Sequence, residues 1–518
     1  MKFFTISFFL IILACFFRFY RLDQTFNVIF DTARDLEVSR QIIMEKKLTL
    51  LGPPTSFGQW SERETYFGPL HYYLISLPLW IFCMNPLAPL LFTGVLNLIS
   101  TIIIFLAIRD LVKERFLSLL IFSFFALSPT LIFYSRFIWN PNFLPFFISL
   151  DILFFWLFIK HDKKIFLLIA SIFSGMSFQL HYITLPLLFA SILTICLFYR
   201  TDLREKITSS LVSLTGFSLG IFPLLLFELR HDFFITNSFL SQLRSPVHTF
   251  PLRLDIAVIY FFTMIGRLFG VLEYSINSMR DKNIALGLLP FIFNLALFVF
   301  LLTRLKKMSQ KLKMIIIFLI LDIIMGLLLA GIWSNQPSPR IEDRYFLSLI
   351  FPYFMVLGVA ISKMSYELVI KAWMKGTGLA ILMLAFFLVL RRDWAIVNEK
   401  VGINEYQVNY HGAEQIAQII SQDVKANGLQ GNYNIANIVD GNSRATYYRY
   451  FLHIDQAPPL GVEDYPSAKV LYIISKKDSQ ATINSSVWEV SSSPAKYPLK
   501  EWNGPDGTTI YKLGTNRN

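Results

Sequence analysis

The segment Phe30 to Arg40, FDTARDLEVSR, follows the first apolar stretch of the chain and is dense in charge. Its charged residues are Asp31, Arg34, Asp35, Glu37 and Arg40. Charge this dense beside hydrocarbon-seeking sequence indicates a functional segment at a membrane surface. The alternative is an ordinary solvated loop. The choice between a functional segment and a solvated loop depends on the rest of the chain, because the other segments determine where this one lies.

The composition is that of a membrane protein. The 518 residues are 54% hydrophobic and 16% charged, and include 52 Phe; the mean hydropathy is +0.53. A soluble domain of this size cannot bury so much apolar surface, so the composition indicates a polytopic α-helical membrane protein. The net charge of +12 is attributed to Lys and Arg in cytoplasmic loops rather than to nucleic-acid binding. The three cysteines lie in apolar runs and suggest neither a metal site nor a disulfide framework.

The first apolar run, from Lys2 to about Phe17, is predicted to be an uncleaved transmembrane helix; a signal peptide is the alternative, but an Ala-x-Ala site is missing. Further apolar segments occur at about 69–84, 87–108, 115–134, 143–159, 165–180, 183–199, 208–227, 284–303, 314–332, 345–361 and 376–391. Basic loops between them define the cytoplasmic side. The favoured arrangement is about eleven spans in the cell (plasma) membrane, with the N-terminus in the cytoplasm and the C-terminus outside.

Two apolar segments, 69–84 and 256–272, are predicted not to span the membrane. Segment 69–84 has both ends outside, so we predict that it lies at the membrane interface or dips in and returns; the alternative is that it spans and the N-terminal orientation is reversed. In the long outer loop 228–283, the apolar middle 256–272 carries Arg267, so we predict an interfacial helix rather than another pair of spans.

After Arg391 the chain becomes polar and rich in turn residues. Residues 400–518 are predicted to form a small extracytoplasmic α/β domain, separate from a transmembrane domain at 1–395. Its predicted elements are helices at Gly412–Asn427 and Arg444–Phe451 and strands at Tyr433–Val439, Val470–Ser475, Val487–Val490 and Thr509–Leu513. It contains no catalytic motif, and a structural or acceptor-docking role is the default interpretation.

Four polar groups meet on the outer face under this topology. They are Asp31, Arg34 and Asp35; the stretch 134–142, with Tyr134, Arg136 and Asn140; the stretch 179–182, with His181; and the stretch 340–345, with Arg340 and Arg344. Carboxylates can deprotonate a hydroxyl or hold a cation, and arginines suit a phosphate or diphosphate. Together with interfacial aromatics, these groups suit sugar transfer from a lipid-linked phosphate, whose negative charge develops in the transition state.

Each residue also has a purely structural interpretation. Asp31 can be a helix N-cap, Arg136 can anchor a helix end, His181 can be a core histidine, and Arg340 and Arg344 can pair with Glu342 and Asp343. Glu37 is interpreted as a solvent-facing charge. The joint placement of the four groups on one face, rather than any single residue, favours a functional site.

The order of the motifs resembles a known class. It comprises one span, FDTARD, the segment Gly68-Pro69-Leu70-His71-Tyr72-Tyr73, Ser128-Pro129 before Tyr134-Ser135-Arg136, and a late Arg344-Tyr345. This pattern resembles the GT-C class of integral-membrane glycosyltransferases, especially bacterial and archaeal members of the protein O-mannosyltransferase and lipid A aminoarabinose transferase group (glycosyltransferase family 39 type). The resemblance covers roughly residues 1–390.

The resemblance implies an inverting transfer, outside the cytoplasm, from a polyprenyl-phosphate sugar donor to a hydroxyl acceptor on a protein, lipid or glycan. Asp31 matches the acidic residue of the family's first outer loop and is the expected general base. In the mannosyltransferases Glu follows this Asp, whereas Thr32 follows here, so Asp35 is the candidate second acid. The expected donor and phosphate residues are Arg34, Arg136, Arg340 and Arg344, and the pocket candidates are Tyr72, Tyr134, Asn140 and His181.

Metal-independent transfer is favoured, because the second outer loop, RFIWNPN, lacks the acidic residues of the metal-dependent oligosaccharyltransferases. A flippase or other transporter of polyprenyl-linked glycans is the alternative from another class. Such a protein should have repeat symmetry and midplane charge, whereas only Asp151 and Asp322 are acidic in the predicted spans and no repeat is evident. A non-catalytic envelope-assembly protein is the third interpretation.

Overall fold

The structure is a computed structural model that describes residues 2–26, 30–55, 65–112, 114–244, 254–269, 288–333, 343–365, 377–398 and 409–516. The chain forms two compact units. The first comprises Met1–Tyr20, Leu48–Leu74 and Leu90–Ile396; the second comprises Arg21–Lys47, Ile75–Pro89 and Val397–Asn518. The second unit therefore includes the acidic segment FDTARD as well as the polar C-terminal part of the chain.

Helices dominate the chain up to residue 398, as its apolar runs predict. They are α1 (Lys2–Phe19), α2 (Leu22–Thr25), α3 (Phe30–Met44), α4 (Leu70–Ile81), α5 (Leu87–Leu111), α6 (Arg115–Ala126), α7 (Pro129–Tyr134), α8 (Leu144–His161), α9 (Lys164–Leu180), α10 (Leu185–Phe198), α11 (Leu203–Gly220), α12 (Phe222–Arg230), α13 (Phe234–Arg244), α14 (Leu254–Leu268), α15 (Leu288–Arg304), α16 (Gln310–Trp333), α17 (Leu347–Ser365) and α18 (Thr377–Asn398). Short 3-10 helices occur at Asn140–Phe143, Tyr182–Thr184, Leu305–Lys307 and Asp343–Phe346.

Within the described ranges, four helices are long and apolar enough to cross a membrane. They are Leu87–Leu111, Asn140–His161, Gln310–Ile332 and Arg344–Lys363. The pair α11 and α12 adds a fifth if the two, which are bent by 75° at their junction, count as one span. Helix α4, where a dipping segment is predicted, is apolar but only 12 residues long. The predicted count of eleven spans and the side assigned to each loop stay predictions.

Close helix packing positions the segment that carries His181. Gly175 of α9 and Gly220 of α11 face each other's backbones: a Cβ on Gly220 would lie 2.3 Å from the carbonyl oxygen of Ile172. Small residues at such contacts let two helices approach closely. Beside this contact, Gln179 Nε2 donates to the Gly220 carbonyl at 2.5 Å, and the Gly68 N–H donates to the Gln179 carbonyl at 2.9 Å. The end of α9 is therefore held from two directions.

The helix predicted over 256–272 is α14, which packs against α15 and α16 and buries Met264 and Ile265. Helices α14 to α17 line an apolar cavity whose walls include Phe261, Leu297 and Ile323. The same cavity also has a polar pair, in which the Tyr353 hydroxyl donates to Asn294 Oδ1 at 2.5 Å. The aromatic and branched side chains of these helices thus enclose a small, mainly apolar cavity.

The C-terminal part of the second unit is the predicted small α/β domain. A four-stranded sheet has the order β1 (Tyr433–Asn437), β2 (Val470–Ser475), β4 (Thr509–Gly514) and β3 (Tyr497–Asn503). Strands β1 and β2 are parallel, and the other pairs are antiparallel. Its helices are α19 (Tyr410–Ala426), α20 (Thr446–Ile454), α21 (Ser479–Ile483) and α22 (Trp488–Ser491). Core residues on one face include Leu471, Ile473 and Leu513.

The two helices and three of the four strands predicted for this domain are confirmed, with shifts of at most three residues at their ends. The strand predicted at Val487–Val490 is wrong: those residues enter the short helix α22, and Val490 packs into the core. The missed strand, β3, is an exposed edge with Lys500 and Glu501 among its residues. Strand β3 is defined by its backbone pairing with β4, and it lacks the alternation of apolar residues that marks a buried strand.

Candidate functional site

The acidic segment forms the first turns of α3 in the second unit. Asp31 lies inside the first helical turn, where a carboxylate is favoured by the helix dipole. Arg34 contacts two carboxylates: its Nη1 lies 3.0 Å from Asp31 Oδ1, and its Nη2 lies 2.7 Å from Asp35 Oδ1. The Asp31 side chain is 40% exposed, whereas that of Asp35 is 0% exposed. Asp31 is therefore accessible from outside the protein, while Asp35 is a buried partner of Arg34.

The next turn of α3 joins the C-terminal domain. Glu37 accepts hydrogen bonds from Arg40, and its Oε2 lies 3.0 Å from Nδ1 of His453 on α20. Burial acts to raise the pKa of Glu37, but the hydrogen bonds from His453 and Arg40 outweigh it and hold the pKa below its usual value. The interpretation of Glu37 as a solvent-facing charge is therefore wrong. Its partner His453 lies 416 residues later in the chain, so the sequence carries no signal for the pair.

Arg136 lies in the first unit, between α7 and the 3-10 helix at 140–143. Its Nη1 donates to the Phe17 carbonyl at 2.9 Å and the Arg18 carbonyl at 3.2 Å, and its Nη2 donates to the Tyr20 carbonyl at 3.0 Å. These oxygens belong to the C-terminal end of α1, where helical carbonyls lack partners and a positive charge is favoured. Burial lowers the pKa of Arg136 to about 10, so it stays charged at neutral pH. These contacts tie Arg136 to the helix end.

Three segments of the first unit that are distant in sequence meet in what we term the three-loop cluster: Trp139, Asn140, His181, Arg344 and Tyr345. The guanidinium carbon of Arg344 lies 5.2 Å from the ring centre of Trp139 and 5.5 Å from that of Tyr345. The His181 and Tyr345 rings are 5.4 Å apart. Asn140 Nδ2 donates to the Leu180 carbonyl at 2.6 Å. The structure thus brings together three of the four predicted polar groups.

The remaining predicted residues have separate positions. Tyr134 is buried, with its ring 5.5 Å from that of Phe137. Tyr72 is buried on α4, beside the ring of His71. Both Tyr residues, like Arg136 and the three-loop cluster, belong to the first unit, while Asp31, Arg34 and Asp35 belong to the second. Arg340 lies outside the described residues.

Sequence analysis missed two aromatic members of this region. Trp139 supplies a face to Arg344, and the Phe67 ring packs 5.1 Å from that of His181. The signal for Trp139 was available in the motif RFIWNPN, since an indole ring beside a polar turn offers its face to a guanidinium. Phe67 had no comparable signal, because it lies there through a backbone hydrogen bond of its neighbour Gly68 to the Gln179 carbonyl.

Structural similarity to two solved structures confirms the predicted fold class, a helical GT-C fold with a small C-terminal sheet domain, but not the predicted number of spans. Two solved structures of ArnT from Cupriavidus metallidurans are similar to the chain. The apo structure matches with a TM-score of 0.57 and the structure bound to undecaprenyl phosphate with 0.58. In both, the identity is 12% and the match covers 98% of this chain and 97% of the other. The sequence matches no protein-family model and none of the curated proteins compared with it.

Proposed function

We propose that the protein is an inverting glycosyltransferase of the cell membrane, which moves a sugar from a polyprenyl-phosphate donor to an extracytoplasmic hydroxyl acceptor. The observation that carries the proposal is the structural similarity to ArnT over nearly the whole of both chains, including the one bound to undecaprenyl phosphate. A fold alone does not define a reaction, so the proposal also needs side chains with the right chemistry.

Asp31 is the proposed general base. Its carboxylate is exposed enough to accept a proton from a hydroxyl, and Arg34 fixes its position from the same helix turn. Asp35, being fully buried, is proposed to hold Arg34 rather than to touch the substrate. The hydroxyl oxygen attacks the anomeric carbon as the bond to the phosphate oxygen breaks. The phosphate leaves with that electron pair, and the hydroxyl proton passes to Asp31.

Arg344 is the proposed partner of the departing phosphate. Its guanidinium is charged at every physiological pH and is held against two aromatic rings, which fixes its position. Arg136 is proposed to act indirectly, because its contacts with the end of α1 hold the loop that carries Trp139.

The proposal is tested in cells by mass spectrometry of envelope glycans. Deleting the protein should remove a specific sugar from an envelope protein, lipid or glycan, and wild-type protein should restore it. Asp31→Asn should not restore it, whereas the matched control Glu45→Gln, which changes a surface ion pair just after the same helix, should. An unchanged glycan profile after deletion contradicts sugar transfer.

The transfer is proposed to be metal-independent, so a metal chelator should leave the rate of sugar transfer in purified membranes unchanged.

A further inference from the structure

His181 is held rigidly at the junction between α9 and the 3-10 helix Tyr182–Thr184. Its backbone N–H donates to the Ser177 carbonyl at 3.0 Å, and its own carbonyl accepts from the N–H of Thr184 at 3.2 Å and from the Thr184 hydroxyl at 3.0 Å. The rings of Phe67 and Tyr345 lie 5.1 Å and 5.4 Å from the imidazole. Both the backbone and the ring of His181 are therefore fixed before any ligand arrives.

One hydrogen bond determines which ring nitrogen carries the proton. The backbone N–H of Ile183 donates to His181 Nδ1 at 3.2 Å. A nitrogen that accepts a hydrogen bond has no proton of its own, so in the neutral imidazole the proton resides on Nε2. The side chain is thus a neutral ring with a single N–H donor, and the tautomer follows from local backbone geometry.

The surroundings keep this ring neutral. His181 is only 6% exposed, and burial, followed by the positive charge of Arg344, lowers its pKa well below the usual value. The groups packed on the ring from the neighbouring segments, Phe67 and Tyr345, carry no charge. A second positive charge beside Arg344 is therefore disfavoured, whereas a neutral N–H donor is compatible with it.

The Nε2–H is the remaining polar group of the ring. Among residues that the structure describes, none forms a hydrogen bond with Nε2, whereas Nδ1 accepts one from the N–H of Ile183. The side chain as a whole is only 6% exposed, so an N–H donor that no described residue satisfies, beside a guanidinium, indicates a place for an external acceptor. An oxygen with negative charge fits best, since Arg344 supplies the compensating charge and His181 supplies direction.

We propose that the Nε2–H of His181 and the guanidinium of Arg344 together bind an anionic phosphate oxygen. The identity of that phosphate as the head group of a polyprenyl carrier rests on the proposed function. His181 keeps its proton throughout: it donates a hydrogen bond to the phosphate before and after the sugar leaves, and no proton transfer is required. A neutral donor of this kind binds phosphate without the pH dependence of an imidazolium.

The state of the ring is tested first, without any activity. Full-length protein in nanodiscs is labelled with ¹⁵N-histidine, and the signals of the seven histidines are compared with those of His181→Gln to assign His181. We expect a neutral ring with the proton on Nε2 at pH 5 to 8, and a shift of the Nε2–H signal when undecaprenyl phosphate is added. A protonated ring at pH 6, or a proton on Nδ1, overturns the proposal.

Binding is tested with the same nanodiscs by titrating undecaprenyl phosphate and, separately, inorganic phosphate. His181→Phe should weaken undecaprenyl phosphate binding about 10- to 100-fold, the typical effect of losing a hydrogen bond to a charged group. His181→Gln, which retains a neutral N–H donor, should recover part of that loss, and His161→Phe at the exposed end of α8 should bind as the wild type does. Equal binding by His181→Phe and wild type overturns the proposal.

The two phosphate probes separate the possible failures. Wild-type protein that binds neither probe contradicts the proposed function together with this inference. Binding of undecaprenyl phosphate that does not perturb the His181 signals contradicts only the inference, and places the phosphate elsewhere. Binding of inorganic phosphate with equal affinity means that the pair recognises phosphate itself and not a lipid head group, which overturns the assignment to the carrier.

Discussion

Arg34 and Asp35, neighbours in the sequence, form the most buried ion pair of the acidic segment: Nη2 and Nε of Arg34 lie 2.7 Å and 2.8 Å from Asp35 Oδ1. Because the same guanidinium also contacts Asp31, one cation orders two carboxylates. The arrangement leaves Asp31 at the surface and Asp35 in the interior. This difference underlies the distinct roles proposed for the two acids.

Arg34→Gln should destabilise the protein by about 3 kcal/mol, because a buried carboxylate that loses its cation is costly. Its apparent melting temperature in detergent should fall, while Arg34→Lys, which retains the charge, should lose less. In the double variant Arg34→Gln with Asp35→Asn, no charge remains buried, and most of the stability should return. A melting temperature of Arg34→Gln equal to that of wild type would mean that the pair contributes nothing.

Trp139→Leu removes one of the two aromatic faces that hold Arg344. A cation–π contact in a partly buried place contributes about 0.5–2 kcal/mol, so donor-lipid binding should weaken about 2- to 30-fold. Trp139→Phe keeps a ring and should lose less. Titration calorimetry measures both, with Trp80→Leu at an exposed apolar position as the matched control. If Trp139→Leu binds the donor lipid normally, Arg344 does not depend on this ring.

Gly220→Leu tests the close contact of α9 with α11. A side chain there meets the Ile172 carbonyl, so the helices must separate at a cost of about 1–3 kcal/mol. The separation should also disturb Gln179 and the loop that carries His181. Thermal unfolding in detergent should therefore begin at lower temperature. The control Ser218→Leu makes a similar change on an exposed face of α11 and should be neutral.

Acid should loosen the contact between α3 and α20. The pKa of Glu37 is held below its unfolded value near 4.5, so its contribution to stability is complete above that pH and is lost as the pH falls through the lower folded value. Melting temperatures of wild type and Glu37→Gln, measured from pH 6 to pH 3, should therefore differ most at pH 6 and converge at the acid end. A constant difference across this range would contradict the assignment.

The sequence allows the helical fold, the small sheet domain and the meeting of three polar loops to be predicted, because apolar runs and turn residues encode them locally. The burial of individual charged side chains could not be predicted from the sequence. Asp31 and Asp35 are one helical turn apart and chemically alike, and only tertiary packing exposes one and buries the other.

Contacts between residues that are far apart in the sequence could not be predicted either. Arg136 has the chemistry of a phosphate ligand, yet its guanidinium donates to carbonyls of a helix more than a hundred residues earlier. The edge strand β3 pairs through its backbone, so its polar side chains gave no strand signal. In both cases the deciding interaction involves backbone groups, which every residue carries and no motif reveals.

The most direct test of the account measures the formation of polyprenyl phosphate from a polyprenyl-phosphate sugar by purified protein in nanodiscs, with envelope extract as the source of acceptor. Wild-type protein should form it in an acceptor-dependent manner, and Asp31→Asn should be slower by a factor of about 10² to 10⁴ while binding the donor lipid equally well. Asp31→Asn turning over at the wild-type rate, or wild-type protein forming no polyprenyl phosphate with any extract, would contradict the proposed chemistry.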